Sequence, residues 1–245
     1  MKILGIDIGG SGVKGALVDT KTGKLLQERF RVDTPDLLTP AAMTKTIKSI
    51  AAHFKWHGPI GVGFPGVIHG SRILTSANLH KSFCNFDAVK MFSKATGCRV
   101  ALINDADAAG LAEIRFGAGR KTRGTILLLT LGTGIGSALF HDGRLFPNSE
   151  LGHFPIRGKS AEYFISSSAR KRRELTWGIW GAELGKYIRS LEDILWPELI
   201  IIGGGVSSKH EKYFKYIKPR AMLVPAEFFN QAGIVGAALW AAEQK

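Results

Sequence analysis

The sequence predicts an α/β protein of two domains, and three observations carry that expectation. Apolar, β-branched runs that read as buried strands alternate with helix-spaced apolar stripes along the chain. A strand–glycine turn–strand unit occurs twice, near residues 3–19 and 126–141, as a duplicated sheet module would. The 245 residues, 45% of them hydrophobic, are enough for one large or two modest cores, and no low-complexity linker interrupts them. The boundary is expected near Asn104: residues 1–103 with 233–245 form one domain, residues 104–232 the other, and a cleft lies between them.

Each element has its own warrant. Lys2–Gly9 and Val13–Asp19 form a hairpin around a glycine turn; Ile3, Leu4, Ile6 and Ile8 have the near-continuous apolar character of a buried strand. Thr22-Gly23 turns the chain into a third strand, Lys24–Val32. Thr39-Pro40 is an N-cap followed by proline at the first helical position, and Met43, Ile47, Ile50 and Phe54 extend a helix to Trp56. Ile60–Phe64 is a short strand ending in Pro65-Gly66. A helix over Phe86–Ala95 is closed by Gly97, and Arg99–Ile103 is a strand. In the second half, Thr125–Leu131 and Ser137–His141 flank Gly132-Thr133-Gly134-Ile135-Gly136, Leu199–Ile202 ends in Gly203-Gly204-Gly205, and Ala232–Ala242 is the closing helix.

Composition narrows the function classes. No run of about 18 apolar residues exists, so no membrane span is expected, and the chain enters a strand at once, leaving no room for a signal peptide. Cys84 and Cys98, with no CxxC spacing, read as reduced, packed thiols of a cytoplasmic protein and speak against structural zinc. Thirty-three basic against 20 acidic residues give a net charge of +13, which points to a polyanionic partner over a merely solvated surface.

The chemistry-bearing residues cluster at strand ends. The turn after the first strand joins Asp7 to Gly9, Gly10, Ser11, Gly12 and Lys14. Glycines there are expected to take positive φ and expose backbone N–H groups to an anion. A carboxylate beside a phosphate repels it unless a cation intervenes, so Asp7 is expected to hold Mg²⁺ directly or through water; capping of an ordinary hairpin is the alternative. The pattern is neither GxxxxGK[ST] nor a GxGxxG opening a βαβ helix. Asp105, following Asn104 at a strand end, reads equally as a helix N-cap and as a general base for a hydroxyl nucleophile, two compatible roles. Glu150 and His153, with Glu162 downstream, suit the paired hydroxyls of a sugar, although Glu162 also suits a helix start. Basic residues gather at Arg115, Arg120, Lys121 and Arg123, at Arg170-Lys171-Arg172-Arg173, and at Lys209, Lys212, Lys215, Lys218 and Arg220. The 170–173 tract lacks interleaved aromatics for base stacking, which favours phosphates without bases and disfavours nucleic acid.

Taken together, Asp7-Ile8-Gly9-Gly10-Ser11, Asn104-Asp105, Leu131-Gly132-Thr133-Gly134 and Glu150-x-Gly152-His153 resemble the ROK sugar kinases, of actin/hexokinase-like (ribonuclease H-like) fold. Thr75-Ser76-Ala77-Asn78-Leu79 and Gly233-Ile234-Val235-Gly236-Ala237 support the resemblance, which runs from residue 2 to about residue 242. It implies that Asp105 is the catalytic base toward a sugar 6-hydroxyl. Asn104, Glu150, His153 and Glu162, with Gly66 and Asn78, then bind the sugar. Asp7, Gly9, Gly10, Ser11 and Lys14 form the first phosphate site, Gly132, Thr133 and Gly134 the second, and Gly203, Gly204 and Gly205 approach a nucleotide.

Two departures from many family members stand out: the cysteine-rich zinc loop after Glu-x-Gly-His is replaced by Phe154–Ala161, and no N-terminal winged-helix segment is present. Both resemble the family branch that draws its phosphoryl group from inorganic polyphosphate. The implied reaction is therefore transfer from polyphosphate, and also ATP, to glucose or mannose, with Mg²⁺, without zinc, in a homodimer. The polymer's tail would lie on Arg120, Lys121, Arg123 and Arg170 to Arg173. An ATP-only hexose kinase and a nucleic-acid-binding sugar sensor are the alternatives.

Overall fold

The computed structural model describes residues 1–10, 12–33, 39–75 and 80–244. The expectations for Ser11 and Asn78 lie outside the described residues.

In chain order the elements begin with strands β1 (Lys2–Gly9), β2 (Gly12–Asp19), β3 (Lys24–Leu25) and β4 (Phe30–Val32), then helix α1 (Pro40–His53) and strands β5 (Ile60–Phe64), β6 (Ile68–His69), β7 (Arg72–Ile73) and β8 (Phe86–Asp87). Helix α2 (Ala88–Thr96), strand β9 (Val100–Asn104) and helix α3 (Asp105–Arg115) follow. Next come β10 (Thr125–Leu131), β11 (Ile135–His141), β12 (Arg144–Phe146), β13 (Pro155–Ile156) and β14 (Lys159–Ser160). The chain closes with α4 (Glu162–Ile165), α5 (Ser167–Arg172), α6 (Trp177–Leu195), β15 (Leu199–Gly203), β16 (Met222–Pro225) and α7 (Ala232–Glu243).

The chain divides into two compact units: Met1–Ala112 with Gln231–Lys245, and Glu113–Asn230. The division falls after Ala112, not before Asn104, because the first turns of α3 are locked to α7: a Cβ on Gly236 would run into the main-chain carbonyl of Ala108.

The main sheet of unit 1 has the order β3-β2-β1-β5-β9, with β4 also on β2. β2 runs antiparallel to β1, while β5 and β9 run parallel to it. Strand alternation sorts the two faces. Leu4, Ile6 and Ile8, with Ile60, Val62 and Phe64, join one core with Met43, Ile47 and Ile50 of α1 and Phe92 of α2. The other face seats α7, which touches the strands at glycines: a Cβ on Gly5 or Gly61 would enter the carbonyls of Ile234 and Ala237. That close seat explains an almost uniformly apolar helix, buried at Ile234, Val235, Ala237, Ala238, Leu239 and Ala241.

The main sheet of unit 2 has the order β12-β11-β10-β15-β16, with the same succession of two antiparallel and two parallel pairings as β3-β2-β1-β5-β9. The duplication read from two glycine turns is therefore a duplication of sheet topology. Its core joins Leu127, Leu129, Leu131, Ile200 and Ile202 to Trp180, Leu184, Ile188 and Leu191 of α6.

Four details differ from expectation. The strand predicted over Lys24–Val32 is two short strands, because β3 pairs near Asp19 and β4 near Val13, at opposite ends of β2, and the polar residues between them are exposed. The second helix starts at Ala88, since Phe86–Asp87 pairs with β7 and the Asp87 side chain caps the helix. Helix α6 was not anticipated, although Trp180, Leu184, Tyr187, Ile188 and Leu191 keep helical spacing. Cys98 is buried as expected, but Cys84 is exposed. Among the described residues no helix is long and apolar enough to cross a membrane.

The seat of α7 yields a stability prediction. Gly236→Ala forces the helix off α3 and lowers unfolding free energy by about 3 kcal/mol, whereas Gly205→Ala, where nothing lies within 4 Å, changes it by less than about 0.5 kcal/mol. Urea unfolding midpoints at unchanged slope measure both.

Candidate active site

In unit 1 the parallel register brings the predicted residues to one edge of the sheet. Asp7 of β1 is level with Gly63 of β5, and Gly63 with Ile103 of β9. The Gly9-Gly10 turn, the Phe64-Pro65-Gly66 loop and Asn104-Asp105 thus all leave the carboxyl ends of neighbouring strands, where ligands of parallel sheets bind. The Cα of Asp105 would lie 3.7 Å from a Cβ on Gly63, the residue paired with Asp7 on the neighbouring strand.

Asn104 settles the cap question for Asp105. The buried Asn104 Oδ1 accepts the N–H groups of Ala106 (2.8 Å) and Asp107 (3.0 Å), the work of an N-cap, while its Nδ2 donates to the Gly66 carbonyl at 3.1 Å. Asp105 also accepts the Ala106 N–H, at 2.8 Å, but the helix does not depend on it for capping. Gly66 is fixed from the other side, since a Cβ there would strike the Thr75 carbonyl. Asn104 and Gly66, both predicted to bind sugar, are therefore one hydrogen-bonded unit.

Asp7 is half-buried opposite Lys14 on β2. Burial pushes its carboxyl above the ordinary range, and the Lys14 charge pulls it partly back. Its oxygens lie against the first turn of α7, 2.7 Å from where a Cβ of Gly233 would stand. Sequence reading assigned Gly233 no role; its signal was the glycine pair 233/236 inside an apolar helix. Neither Gly9 nor Gly10 takes the positive φ expected of them; Gly10 instead keeps its surroundings open, with nothing within 4 Å of a would-be Cβ.

In unit 2 the second glycine turn and the acidic residues come together. A Cβ on Gly134 would meet the Glu162 carboxylate, which also accepts the Ile135 N–H at 3.3 Å. The turn is closed by Gly132 N–H to Gly134 O at 3.0 Å, and Ser168 of α5 donates its N–H to Gly132 O at 3.1 Å. Glu150 and His153 face each other, Oε2 to Nε2, at 3.5 Å. Burial raises the Glu150 carboxyl above its ordinary range; His153 opposes the rise and Glu162 adds to it. The backbone at Glu150 is pinned by a residue the sequence did not flag: Ser137 Oγ donates to Ser149 O (2.5 Å) and accepts Leu151 N–H (3.0 Å). Gly203 ends β15, paired with Thr130 of β10, and Gly204 follows it; Gly204 has φ 78°, and a Cβ on it would press the backbone of Leu131 at 2.6 Å. The backbone of the third glycine segment thus packs directly on the strand that ends in the second.

The basic tracts differ in availability. Arg173 makes a bidentate pair with Glu183 at 2.6 and 3.0 Å, which raises its guanidinium and lowers the Glu183 carboxyl. Arg170 stacks 4.0 Å from the Trp177 ring and donates to Leu175 O. Arg172 donates to Tyr163 O yet stays exposed, as do Lys171, Arg120, Lys121 and Arg123. Tertiary pairing therefore takes two of the four cations from the 170–173 tract.

For a divalent cation, the donors present are a half-buried carboxylate at Asp7 and no group of three or more His, Cys, Asp or Glu among the described residues. That set fits Mg²⁺ carried mainly by substrate phosphates with one protein carboxylate, and does not fit a thiolate or imidazole cage.

The chain's residues 3–165 match the ROK family model. It is 44% identical over 236 residues, 96% of this chain and 89% of the relative, to polyphosphate glucokinase of Mycobacterium tuberculosis, and 42% identical to that of Mycobacterium leprae, covering 96% of this chain and 73% of the relative. A solved structure of an inorganic polyphosphate/ATP-glucomannokinase from Arthrobacter sp. strain KM superposes with a TM-score of 0.96 at 45% identity, covering 100% of this chain and 99% of that one. With its glycine turns, sheet order and acidic residues all arranged as described, this chain belongs to the ROK family, on the actin/hexokinase-like fold.

Proposed function

We propose that the protein transfers the terminal phosphoryl group of inorganic polyphosphate, and also that of ATP, to the 6-hydroxyl of glucose. The observation that carries this is the 45% identity and 0.96 TM-score, over the whole chain, to an enzyme named for both donors. The exposed cations of a chain with net charge +13 give the polymer an electrostatic reason to bind.

Asp105 accepts the hydroxyl proton while the sugar oxygen forms its bond to the terminal phosphorus. The bridging P–O bond breaks as that bond forms, leaving glucose 6-phosphate and a polymer one phosphate shorter. Asn104, by capping α3, spares Asp105 that task and fixes the loop at Gly66. Glu150, His153 and Glu162 accept and donate hydrogen bonds to the sugar hydroxyls. Backbone N–H groups of the Gly9–Gly10 and Gly132–Gly134 turns receive phosphate oxygens, and Gly203–Gly205 receives the distal part of ATP. Mg²⁺, when bound, neutralises phosphate charge, and Asp7 is the residue that would hold it. The residues named here do not read every hydroxyl, so mannose is a second acceptor. As a homodimer, the protein would sediment at twice the chain mass.

A coupled glucose 6-phosphate assay with each donor tests the proposal. Turnover with polyphosphate and with ATP is expected; turnover with ATP alone overturns the donor assignment. Asp105→Asn is expected to lower kcat by about 10²–10⁴ while leaving glucose affinity, measured by calorimetry, within a few-fold. Near-normal kcat would remove Asp105 from its role. The raised Glu150 carboxyl takes up its proton before an ordinary glutamate does as pH falls. Glucose KM should therefore climb on the acid side starting above the ordinary carboxylate range, and Glu150→Gln should raise KM throughout and abolish that limb.

A further inference from the structure

Between β15 and β16 lies a segment that none of the roles above uses. Lys209, Lys212, Lys215 and Lys218 recur at every third position, and all four are exposed. The backbone there forms two short 3₁₀ helices, Ser207–Lys212 and Phe214–Tyr216, broken by kinks at Lys209 and Tyr213. Despite the kinks the four lysines all face solvent, while Tyr213 and Ile217 are buried. Glu211 is the one acidic residue within Lys209–Lys218, leaving that stretch a net charge of +3 with His neutral.

The backbone of the segment is held in place, so only the lysine side chains have to be ordered on binding. Tyr213 stacks on Trp177 at 5.8 Å and meets Trp180 edge-on at 4.9 Å. Two glycines of α6 let the segment lie directly on the helix: a Cβ on Gly181 would stand 3.0 Å from Tyr213 O, and one on Gly178 would stand 3.1 Å from the Tyr216 ring. At its start, Ser207 Oγ donates to Gly204 O at 2.8 Å, tying it to the third glycine turn. Its cations are also not neutralised by carboxylates, although Lys215 Nζ lies 5.3 Å from the centroid of the Tyr216 ring. Arg173 is neutralised by Glu183 and Arg220 by Asp193 at 2.7 Å, whereas among the described residues none of the four lysines pairs with a carboxylate.

We propose that Lys209, Lys212, Lys215 and Lys218 form a track that binds the distal phosphates of a long linear polyphosphate beyond the Gly203–Gly205 turn. The proposal presupposes the polyphosphate donor proposed above. A linear chain of repeated negative charges matches four exposed cations carried on one short segment. Tyr216 is the one exposed ring in the row, too few for the base stacking that single-stranded nucleic acid uses. The track would distinguish donors by length, since only a long polymer could occupy all four lysines at once.

The test pairs direct binding with turnover. Fluorescently labelled long-chain polyphosphate is titrated by anisotropy against the full chain and against K209S/K212S/K215S/K218S. The variant is expected to lose about tenfold or more in affinity, with a shallower salt dependence. Its KM for long-chain polyphosphate should rise in step, while kcat/KM with ATP and with tripolyphosphate stays within about twofold. K212E/K215E should show the same split, and K212R/K215R should restore binding. Unchanged polymer affinity overturns the track, as does an equal loss with all three donors. Competition by duplex DNA or single-stranded RNA at equal concentration overturns the polyphosphate assignment in favour of a nucleic-acid surface. If the wild-type chain binds the polymer through these lysines yet transfers nothing from it, the donor proposal fails and the track stands.

Discussion

The side-chain amide of Asn104 holds the candidate chemistry of unit 1 in place. Its oxygen stops β9 and starts α3; its nitrogen takes the carbonyl of Gly66 from the loop after β5. One buried group thereby joins two neighbouring parallel strands, a loop and a helix. Replacing it would leave helix N–H groups and a loop carbonyl without partners in a buried place, an outcome far costlier than the loss of a surface hydrogen bond. Asp105 follows immediately, with its position set by a neighbour that does the capping.

The same economy recurs in unit 2. Ser137, a buried hydroxyl on β11, ties Ser149 and Leu151 and so pins the backbone of Glu150 between them. Glu162, at the start of α4, lies on Gly134 where any side chain would exclude it. In unit 1 the predicted site residues sit at the carboxyl ends of parallel strands, whereas in unit 2 Glu150 and Glu162 come from the loop after β12 and from the start of α4. Burial raises both Asp7 and Glu150, so each carboxylate is held at some electrostatic cost that a bound cation or sugar hydroxyls would relieve.

Positive charge is divided between structure and solvent. Arg170 and Arg173 belong to the packing of α5 on its surroundings, through a tryptophan face and a glutamate fork. Arg173 and Glu183 are both largely shielded from water, where a bidentate pair holds geometry better than an exposed one does. The lysines of Lys209–Lys218 are paired with no carboxylate among the described residues. A count of basic residues cannot separate the two populations, because the separation depends on which carboxylate each cation meets.

The chain's own pattern settled the alternation of strands and helices, the two glycine-turn modules and the third glycine cluster, since period-2 and period-3.6 burial and strand-end glycines are local signals. It misjudged Lys24–Val32, whose two halves pair with opposite ends of β2, and it passed over α6, whose stripe was present but unread. Tertiary structure alone decided that Asn104 and not Asp105 caps α3, that α3 stays with α7 through Gly236, that Gly233 stands against Asp7, and that Arg173 is neutralised while Lys212 is not. These are pairings between residues far apart in the chain or competing for one donor, and nothing in local spacing encodes which partner folding will bring within 3 Å.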